Sequence, residues 1–171
     1  SDAEAEAAAA RARLGTRRHL LDGVPISWKD LYEVAGTRAQ AGSAMLDDRP
    51  FAEADCPVLA RATAAGMVCL GKTHMSELAF SGLGVNPVTA TSPNPHDGDW
   101  APGGSSSGAA SSVAFGLAAA GIGSDTGGSV RIPSAWQNLT GLKTTLGLIP
   151  VEGSVPLSAA FDTVGPLCRS V

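Results

Sequence analysis

Apolar residues along the chain follow two patterns, one typical of helices and one typical of buried strands. Residues 50–66 place Val58 and Leu59 on one face of a helix that ends at Gly66. The next segment, MVCLGK at residues 67–72, is almost continuously apolar, as is typical of a buried strand. A helix followed by an apolar strand is the repeating unit of α/β proteins. The pattern therefore predicts an α/β fold.

The same order recurs where glycine and serine are most abundant. Residues 103–129 read GGSSSGAASSVAFGLAAAGIGSDTGGS. This pattern predicts a loop, a helix of about three turns from residue 107, a short buried strand that ends near Ser124, and a second loop. A helix that begins directly after such a loop directs its N–H groups and its positive dipole end toward the loop. We therefore expect function, and chemistry involving negative charge, at these two loops.

Three further elements and one long loop complete the predicted order. Residues 3–14 are rich in alanine, with acidic residues early and basic residues late, which favours a helix. Residues 24–28 predict a short strand that continues into Lys29, and residues 139–145 predict another strand. Four prolines make residues 84–104 a long loop, and a loop of this length in a compact domain is usually functional.

Composition narrows the class of protein and its partners. The 171 residues are 44% hydrophobic, which fits a single globular domain. The net charge of −4 and the scattered basic residues argue against a nucleic-acid partner or an anionic membrane surface. No uninterrupted apolar stretch approaches the roughly 18 residues that a membrane-spanning helix needs, and the first residues lack the features of a secretory signal. The three cysteines have no CxxC spacing, so we expect reduced thiols and a cytoplasmic location: Cys56, Cys69 and Cys168.

A serine between glycines is the first candidate for catalysis. The sequence GSSSG at residues 104–108 fits the nucleophile elbow G-x-S-x-G, with Ser106 as the nucleophile. In that fold an acidic residue and then a histidine follow the serine. Here every histidine precedes it: His19, His74 and His96. The sequence therefore disfavours this triad.

Phosphate and metal sites are also poorly supported. No lysine follows the glycines as in GxxxxGK, and GIGSDT at residues 121–126 lacks the third glycine of GxGxxG. The three histidines occur singly, without the paired spacing of a metal motif. We therefore expect no metal and no cofactor.

The remaining candidate is a serine nucleophile served by a lysine, and three separated motifs carry it. They are GVPISWKD at residues 23–30, APGGSSSGAAS at residues 101–111, and GIGSDTGGSVRIPS at residues 121–134, followed by GLK. In sequence and spacing they resemble the amidase signature family, serine hydrolases with a Ser-cisSer-Lys triad. The resemblance extends from Asp22 to Val171 and implies a mixed β-sheet flanked by helices, in an enzyme that hydrolyses amides.

The resemblance also implies a role for individual residues. Ser129 corresponds to the nucleophile, Ser105 to the proton-relaying serine that follows a cis peptide bond, and Lys29 to the base. The implied oxyanion hole consists of the backbone N–H groups of Thr126, Gly127, Gly128 and Ser129. Three further side chains are implied to support the site: Asp125 and Arg131, which brace the loop, and Ser106, which assists the hydrogen-bond network. We expect Ser105 to lie within hydrogen-bond reach of both Lys29 and Ser129.

Elementary chemistry agrees with these roles. A serine hydroxyl is a weak nucleophile that must lose its proton as it attacks a carbonyl. Lys29 can accept that proton only when neutral, and its free pKa is about 10.4. Burial against Val24, Ile26 and Trp28 lowers that pKa, because desolvation disfavours the ammonium by up to ~3–5 units. An acyl-enzyme then forms on Ser129, an amine or ammonia leaves, and water hydrolyses the ester.

Length distinguishes the chain from the family it resembles. The 171 residues are less than half of that family's domain, so we expect residues 1–171 to be one truncated domain without its C-terminal part. The unpaired sheet edge of such a piece favours a homodimer.

The expected substrate is a small-molecule amide. The segment KTHMSELAFSGLGVNPVTATSPNP resembles stand-alone amidases more than amidotransferase subunits. Two alternatives remain: a glutaminase-type subunit of a tRNA-dependent amidotransferase, and a non-catalytic fragment or binding module.

Overall fold

The computed structural model describes Gly15 and residues 20–171. Within this part of the chain, five strands form one sheet in the order β2-β1-β3-β5-β4. The strands are β1 (Pro25–Lys29), β2 (Val68–Thr73), β3 (Ala120–Asp125), β4 (Thr140–Gly141) and β5 (Thr163–Cys168). Strand β1 pairs in parallel with β2 and β3, whereas β5 is antiparallel to β3 and β4. The sheet is mixed, which confirms the predicted fold class.

Three helices accompany the sheet in the described residues: α1 (Pro57–Ala64), α2 (Ser107–Ala114) and α3 (Arg131–Trp136). Single 3-10 turns occupy Ala44–Leu46 and Glu77–Ala79. Helix α1 begins seven residues later than the sequence predicted, because proline lacks an N–H group and fits only the first helical turn. Helix α2 has eight residues, about two turns rather than three, and a left-handed glycine follows its end, Gly116 with φ +76°.

Small residues allow α2 to pack closely on β3. A side chain added at Gly121 would meet the carbonyl oxygen of Ala109 at 2.7 Å, and one added at Gly123 would meet Ser106 Oγ at 2.5 Å. Ala109 and Ala110 are fully buried in this interface. The close approach holds the N-terminal end of α2 beside the end of β3, where the first glycine-rich loop ends and the second begins.

The main core lies around β1. Ile26, Trp28, Leu59 and Met75 are almost completely buried in one cluster, and Tyr32 joins it with its ring edge-on to Trp28 at 5.7 Å between centroids. This apolar packing surrounds the strand that ends in Lys29. Burial of that strand on both faces is characteristic of a central parallel strand.

The second half of the sheet departs from the prediction. The strand expected over residues 139–145 is only the two residues of β4, because beyond it the Thr144 hydroxyl, rather than a backbone N–H, donates to the carbonyl of Val164 at 2.8 Å. Strand β5 was not predicted, since Gly165 and Pro166 interrupt its apolar pattern and proline cannot donate to a ladder. The helix predicted over residues 3–14 lies outside the described residues.

Two expectations from the sequence concerned membrane-spanning helices and disulfide bonds. Among the described helices, none is long and apolar enough to cross a bilayer. No disulfide joins the three cysteines: Cys56, Cys69 and Cys168.

Candidate active site

Three strand ends meet at one edge of the sheet. Strands β1, β2 and β3 run in parallel, so Lys29, Thr73 and Asp125 all lie at the carboxyl edge. The first glycine-rich loop, at the start of α2, reaches the same edge, since the Ser76 N–H donates to the carbonyl of Ser105 at 3.1 Å. The sheet topology therefore brings residues from distant parts of the sequence together.

Lys29 lies at the centre of this edge and is completely buried. Its Nζ donates to Ser105 Oγ at 2.6 Å and to Ser124 Oγ at 2.8 Å. The contact with Ser105 is the one that the motifs predicted. Ser124 was not singled out as a site residue from the sequence. Its only sequence signal was its position directly before Asp125, at the end of a strand next to that of Lys29.

Burial controls the charge of Lys29. It lowers the pKa of this amine to about 7, and the negative charges of Asp125 and Asp162 oppose part of the decrease. Near neutral pH, a large fraction of Lys29 is consequently unprotonated. A neutral amine can accept a proton, so Lys29 has the charge state that a general base requires.

The two serines before α2 point to different partners. The Gly104–Ser105 peptide bond is cis, as predicted. The Ser105 side chain contacts Lys29, whereas Ser106 Oγ bridges Ser124, accepting from its N–H and donating to its carbonyl, both at 3.3 Å. All three serines are buried. Ser124 is therefore held through its backbone by Ser106 and through its side chain by Lys29.

Asp125 organises the second glycine-rich loop. Its buried carboxylate accepts backbone N–H groups from Gly128 at 2.8 Å, Val130 at 3.1 Å and Arg131 at 3.3 Å. The Arg131 side chain adds two charged hydrogen bonds, at 3.0 and 2.9 Å. Burial opposes ionisation of Asp125, but these donors outweigh it and hold its pKa below the usual value. The loop thus closes around one ionised carboxylate.

This arrangement changes the expected set of oxyanion donors. The N–H of Gly128 donates to Asp125 and is occupied. Within the described residues, the N–H groups of Thr126, Gly127 and Ser129 have no hydrogen-bond partner. Three of the four expected donors therefore remain available to a ligand.

Ser129 lines a cleft at this edge of the sheet. In the part of the chain described, its hydroxyl makes no hydrogen bond, so the expected bond with Ser105 is not formed. The two segments are joined instead through the backbone, because the Ser106 N–H donates to the Ser129 carbonyl at 3.2 Å. Ser129 opens onto a cleft of about 410 Å³ lined by Ala79, Phe80, Ser81, Gly82, Thr126, Gly127, Ile132, Leu157 and Ser158. None of these lining side chains is charged.

The alternative chemistries find no matching cluster in the described residues. No group of three histidine, cysteine, aspartate or glutamate side chains converges there as a metal site would require. Ser106 contacts Ser124 rather than a histidine, which does not fit the nucleophile elbow. His19 lies outside the described residues.

Comparisons with known proteins show which family the chain resembles. The family model described as Amidase matches residues 1–171. A glutamyl-tRNA(Gln) amidotransferase subunit of Cupriavidus pinatubonensis is 44% identical over 167 residues, which are 96% of this chain and 32% of that protein. The protein of the same name from Anaeromyxobacter dehalogenans is 43% identical and is covered over 34% of its length.

Solved structures give the same result. The peptide amidase of Stenotrophomonas maltophilia matches with a TM-score of 0.88 and 37% identity, over 99% of this chain and 36% of that one. A further amidase crystal structure matches with a TM-score of 0.91 and 38% identity, over 99% of this chain and 39% of that one. The chain spans about a third of the length of the curated relatives it matches. Because the family model matches all 171 residues of this chain and these relatives agree with it, the chain belongs to the amidase family.

Proposed function

We propose that Ser129, Ser105 and Lys29 are the nucleophile, the proton relay and the base of an amide hydrolase. The enzyme works through an acyl-enzyme on Ser129. The observation that carries this proposal is the 2.6 Å hydrogen bond between a fully buried Lys29 and Ser105, beside a loop whose serine opens onto a cleft. Membership of the amidase family supports it. The expected substrate is a small-molecule amide.

The first step forms the acyl-enzyme. Ser129 Oγ attacks the amide carbon while its proton passes to Ser105 Oγ, and the Ser105 proton passes to Lys29 Nζ. This transfer requires Ser105 and Ser129 to approach one another in the substrate complex, as catalytic hydrogen bonds often tighten only when substrate binds. The lysine ammonium then returns a proton through Ser105 to the departing nitrogen. Water subsequently attacks the ester and releases the acid.

The second glycine-rich loop supplies the electrostatic part. A tetrahedral intermediate places negative charge on the former carbonyl oxygen, and the N–H groups of Thr126, Gly127 and Ser129 are the donors that remain for it. Asp125 fixes the loop that carries them, through Gly128 and Arg131. In known hydrolases, a donor of this kind contributes roughly 2.7–4 kcal/mol.

A glutaminase role within a tRNA-dependent amidotransferase is the second candidate. It is favoured by relatives of that name at 43–44% identity. The cleft around Ser129 has no charged side chain, and the apolar side chains of Phe80, Ile132 and Leu157 line it, which favours neutral, apolar acyl groups instead. Released ammonia from a panel of aliphatic amides, aryl amides and glutamine separates the two candidates.

Active-site labelling tests the proposal itself. A fluorophosphonate, which reacts with activated serines, should modify Ser129 in the wild-type protein, and mass spectrometry of the peptides locates the adduct. An adduct on Ser106 would refute the assignment and favour the nucleophile elbow. No adduct together with no amide turnover would favour a non-catalytic binding module.

Expression of the 171 residues alone tests whether they are sufficient for a stable fold and for amide turnover. Several large apolar side chains are exposed, among them Phe80, Trp100, Leu117 and Leu148, and exposed apolar surface of this kind promotes association. We expect this polypeptide to form a homodimer or to be marginally stable, with little amide turnover. Light scattering measures association, and ammonia release, compared with that of a full-length member of the family, measures turnover. Equal turnover by a monomer would contradict the expectation.

A further inference from the structure

We propose that Asp162 is a positioning residue that fixes the loop of Ser129 to the facing wall of the cleft. The inference rests on the proposed function, since it concerns how the same cleft is shaped. Asp162 precedes β5 and had no role in the sequence prediction. The geometry of its two carboxylate oxygens carries the inference.

Each oxygen of Asp162 binds a different wall. Oδ1 accepts the hydroxyl of Thr126 at 2.5 Å. Oδ2 accepts the backbone N–H groups of Leu157 at 2.9 Å and Ser158 at 3.0 Å. Thr126 lines the Ser129 side of the cleft, and Leu157 and Ser158 also line it. One carboxylate therefore sets the width of the cleft beside the nucleophile.

The sheet fixes the carboxylate itself. The N–H of Asp162 donates to the carbonyl of Ser158 at 2.9 Å, which closes the turn that leads into β5. The next residue, Thr163, pairs with Asp125 in the antiparallel ladder, and its hydroxyl donates to the Asp125 carbonyl at 2.6 Å. Asp162 is thus anchored, through its neighbour Thr163, to the strand from which the Ser129 loop departs.

The charge of Asp162 also acts on the base. Of the groups around Lys29, Asp125 and Asp162 supply the negative charge, while the nearby Tyr32 hydroxyl stays neutral because burial raises its pKa. Both carboxylates favour the lysine ammonium and oppose the effect of burial. Removing the charge of Asp162 should therefore lower the pKa of Lys29, and the pH at which activity appears should fall with it.

Two properties separate this role from simple structural support. A residue that only stabilises the fold would lower the melting temperature and leave the pH profile of the surviving protein unchanged. A residue that positions the cleft and faces the base changes KM and shifts the profile. Glu152 offers a matched control, because it is an exposed carboxylate in the segment that precedes the turn.

The experiment compares wild type, Asp162→Asn and Glu152→Gln in the protein as it naturally occurs, using an apolar amide and the fluorophosphonate. For Asp162→Asn we expect kcat/KM at high pH to fall about 10- to 100-fold, as for a small misplacement of a catalytic group. We expect KM to rise and the acidic midpoint of the profile to move to lower pH. Glu152→Gln should match the wild type in all three measurements.

Thr126→Val provides a second variant if Asp162→Asn does not fold. It removes the hydroxyl bound by Oδ1 and keeps the charge, so KM should rise without a shift of the midpoint. Wild-type values of KM and midpoint in a folded Asp162→Asn, or of KM in Thr126→Val, would overturn the inference. If the wild type itself fails to label at Ser129, the proposed function fails instead, and the two failures are thereby distinguished.

Discussion

The Nζ atom of Lys29 lies 2.6 Å from the Oγ atom of Ser105, although 76 residues separate them. A second hydrogen bond, to Ser124 on the neighbouring strand β3, also fixes the amine. The lysine is therefore held before any substrate arrives, and such preorganisation reduces the reorganisation needed during reaction. Its position also determines when it can act, because its surroundings set its pKa.

The activity should follow the protonation of Lys29. Burial lowers the pKa of this amine to about 7, and only the neutral form accepts a proton. We expect kcat/KM to be low at pH 5, to rise about tenfold per pH unit below the midpoint, and to level off above about pH 8. A pH–rate profile of amide hydrolysis measures this. A midpoint near that of free lysine would show that the base is not buried in the working enzyme.

Replacement of the two candidate serines should have unequal effects. Ser129→Ala removes the proposed nucleophile and should abolish acyl-enzyme formation, whereas Ser106→Ala removes two 3.3 Å contacts with Ser124 and should only reduce it. Intact-mass measurement after reaction with the fluorophosphonate detects the adduct. Full labelling of Ser129→Ala would contradict the assignment.

The carboxylate of Asp125 should matter more for stability than its exposed partner. Asp125→Ala leaves three backbone N–H groups without their acceptor, so we expect a loss on the order of 3 kcal/mol in the free energy of unfolding. Arg131→Met should cost less than Asp125→Ala, because the arginine is half exposed and the carboxylate keeps its three backbone donors. Urea denaturation of both variants makes the comparison.

The same carboxylate should produce an acid dependence. Because the pKa of Asp125 is lower when folded than when unfolded, its stabilising contribution is present above the unfolded value and is lost as the pH falls through the folded one. Asp125→Ala should therefore flatten the dependence of stability on pH in acid. An unchanged dependence would show that other groups control it.

The close packing of α2 on β3 predicts a sharp difference between two glycines. A methyl group at Gly123 would lie 2.5 Å from Ser106 Oγ and 2.8 Å from its Cβ, whereas one at Gly98 would meet no atom within 4 Å. Gly123→Ala should lose about 1–3 kcal/mol of stability by overpacking and should displace Ser106. Gly98→Ala should be close to neutral. Thermal melts and labelling rates of the pair check this, and equal melting temperatures would contradict it.

The sequence predicted some of the contacts in the candidate site and missed others. Lys29 and Ser105 were expected together because each belongs to a distinct motif, and they are in contact. Ser124 and Asp162 were missed because serine and aspartate are common in loops, and only the sheet pairing brings them near Lys29 and Thr126. Gly128 carries an N–H that the motif suggests is available, yet the nearby carboxylate occupies it. Such competition between partners depends on side-chain geometry, which a linear pattern does not contain.

The strands, too, were predicted where the local sequence pattern is clear and missed where pairing with another strand decides the structure. The apolar segment at residues 67–72 was correctly predicted as a strand, within one residue at each end. Strand β5 was missed, because it gains its place by pairing with β3 rather than from its own composition. Proline and glycine inside a strand lower its local propensity, and tertiary pairing overrides that preference here.

The parallel pairing of β1 with β3 has a consequence for how the protein matures. Strand β1 emerges from the ribosome about a hundred residues before its partner is complete, at Ile26 to Trp28 against Ala120 to Ile122. Contacts between such distant segments form slowly, because closing a long loop costs conformational entropy before the contact is gained. Until β3 is in place, we expect Lys29 to be solvated, with a pKa near the ordinary value for lysine. On the proposed mechanism, a nascent or half-folded chain would therefore lack its base until these two strands pair.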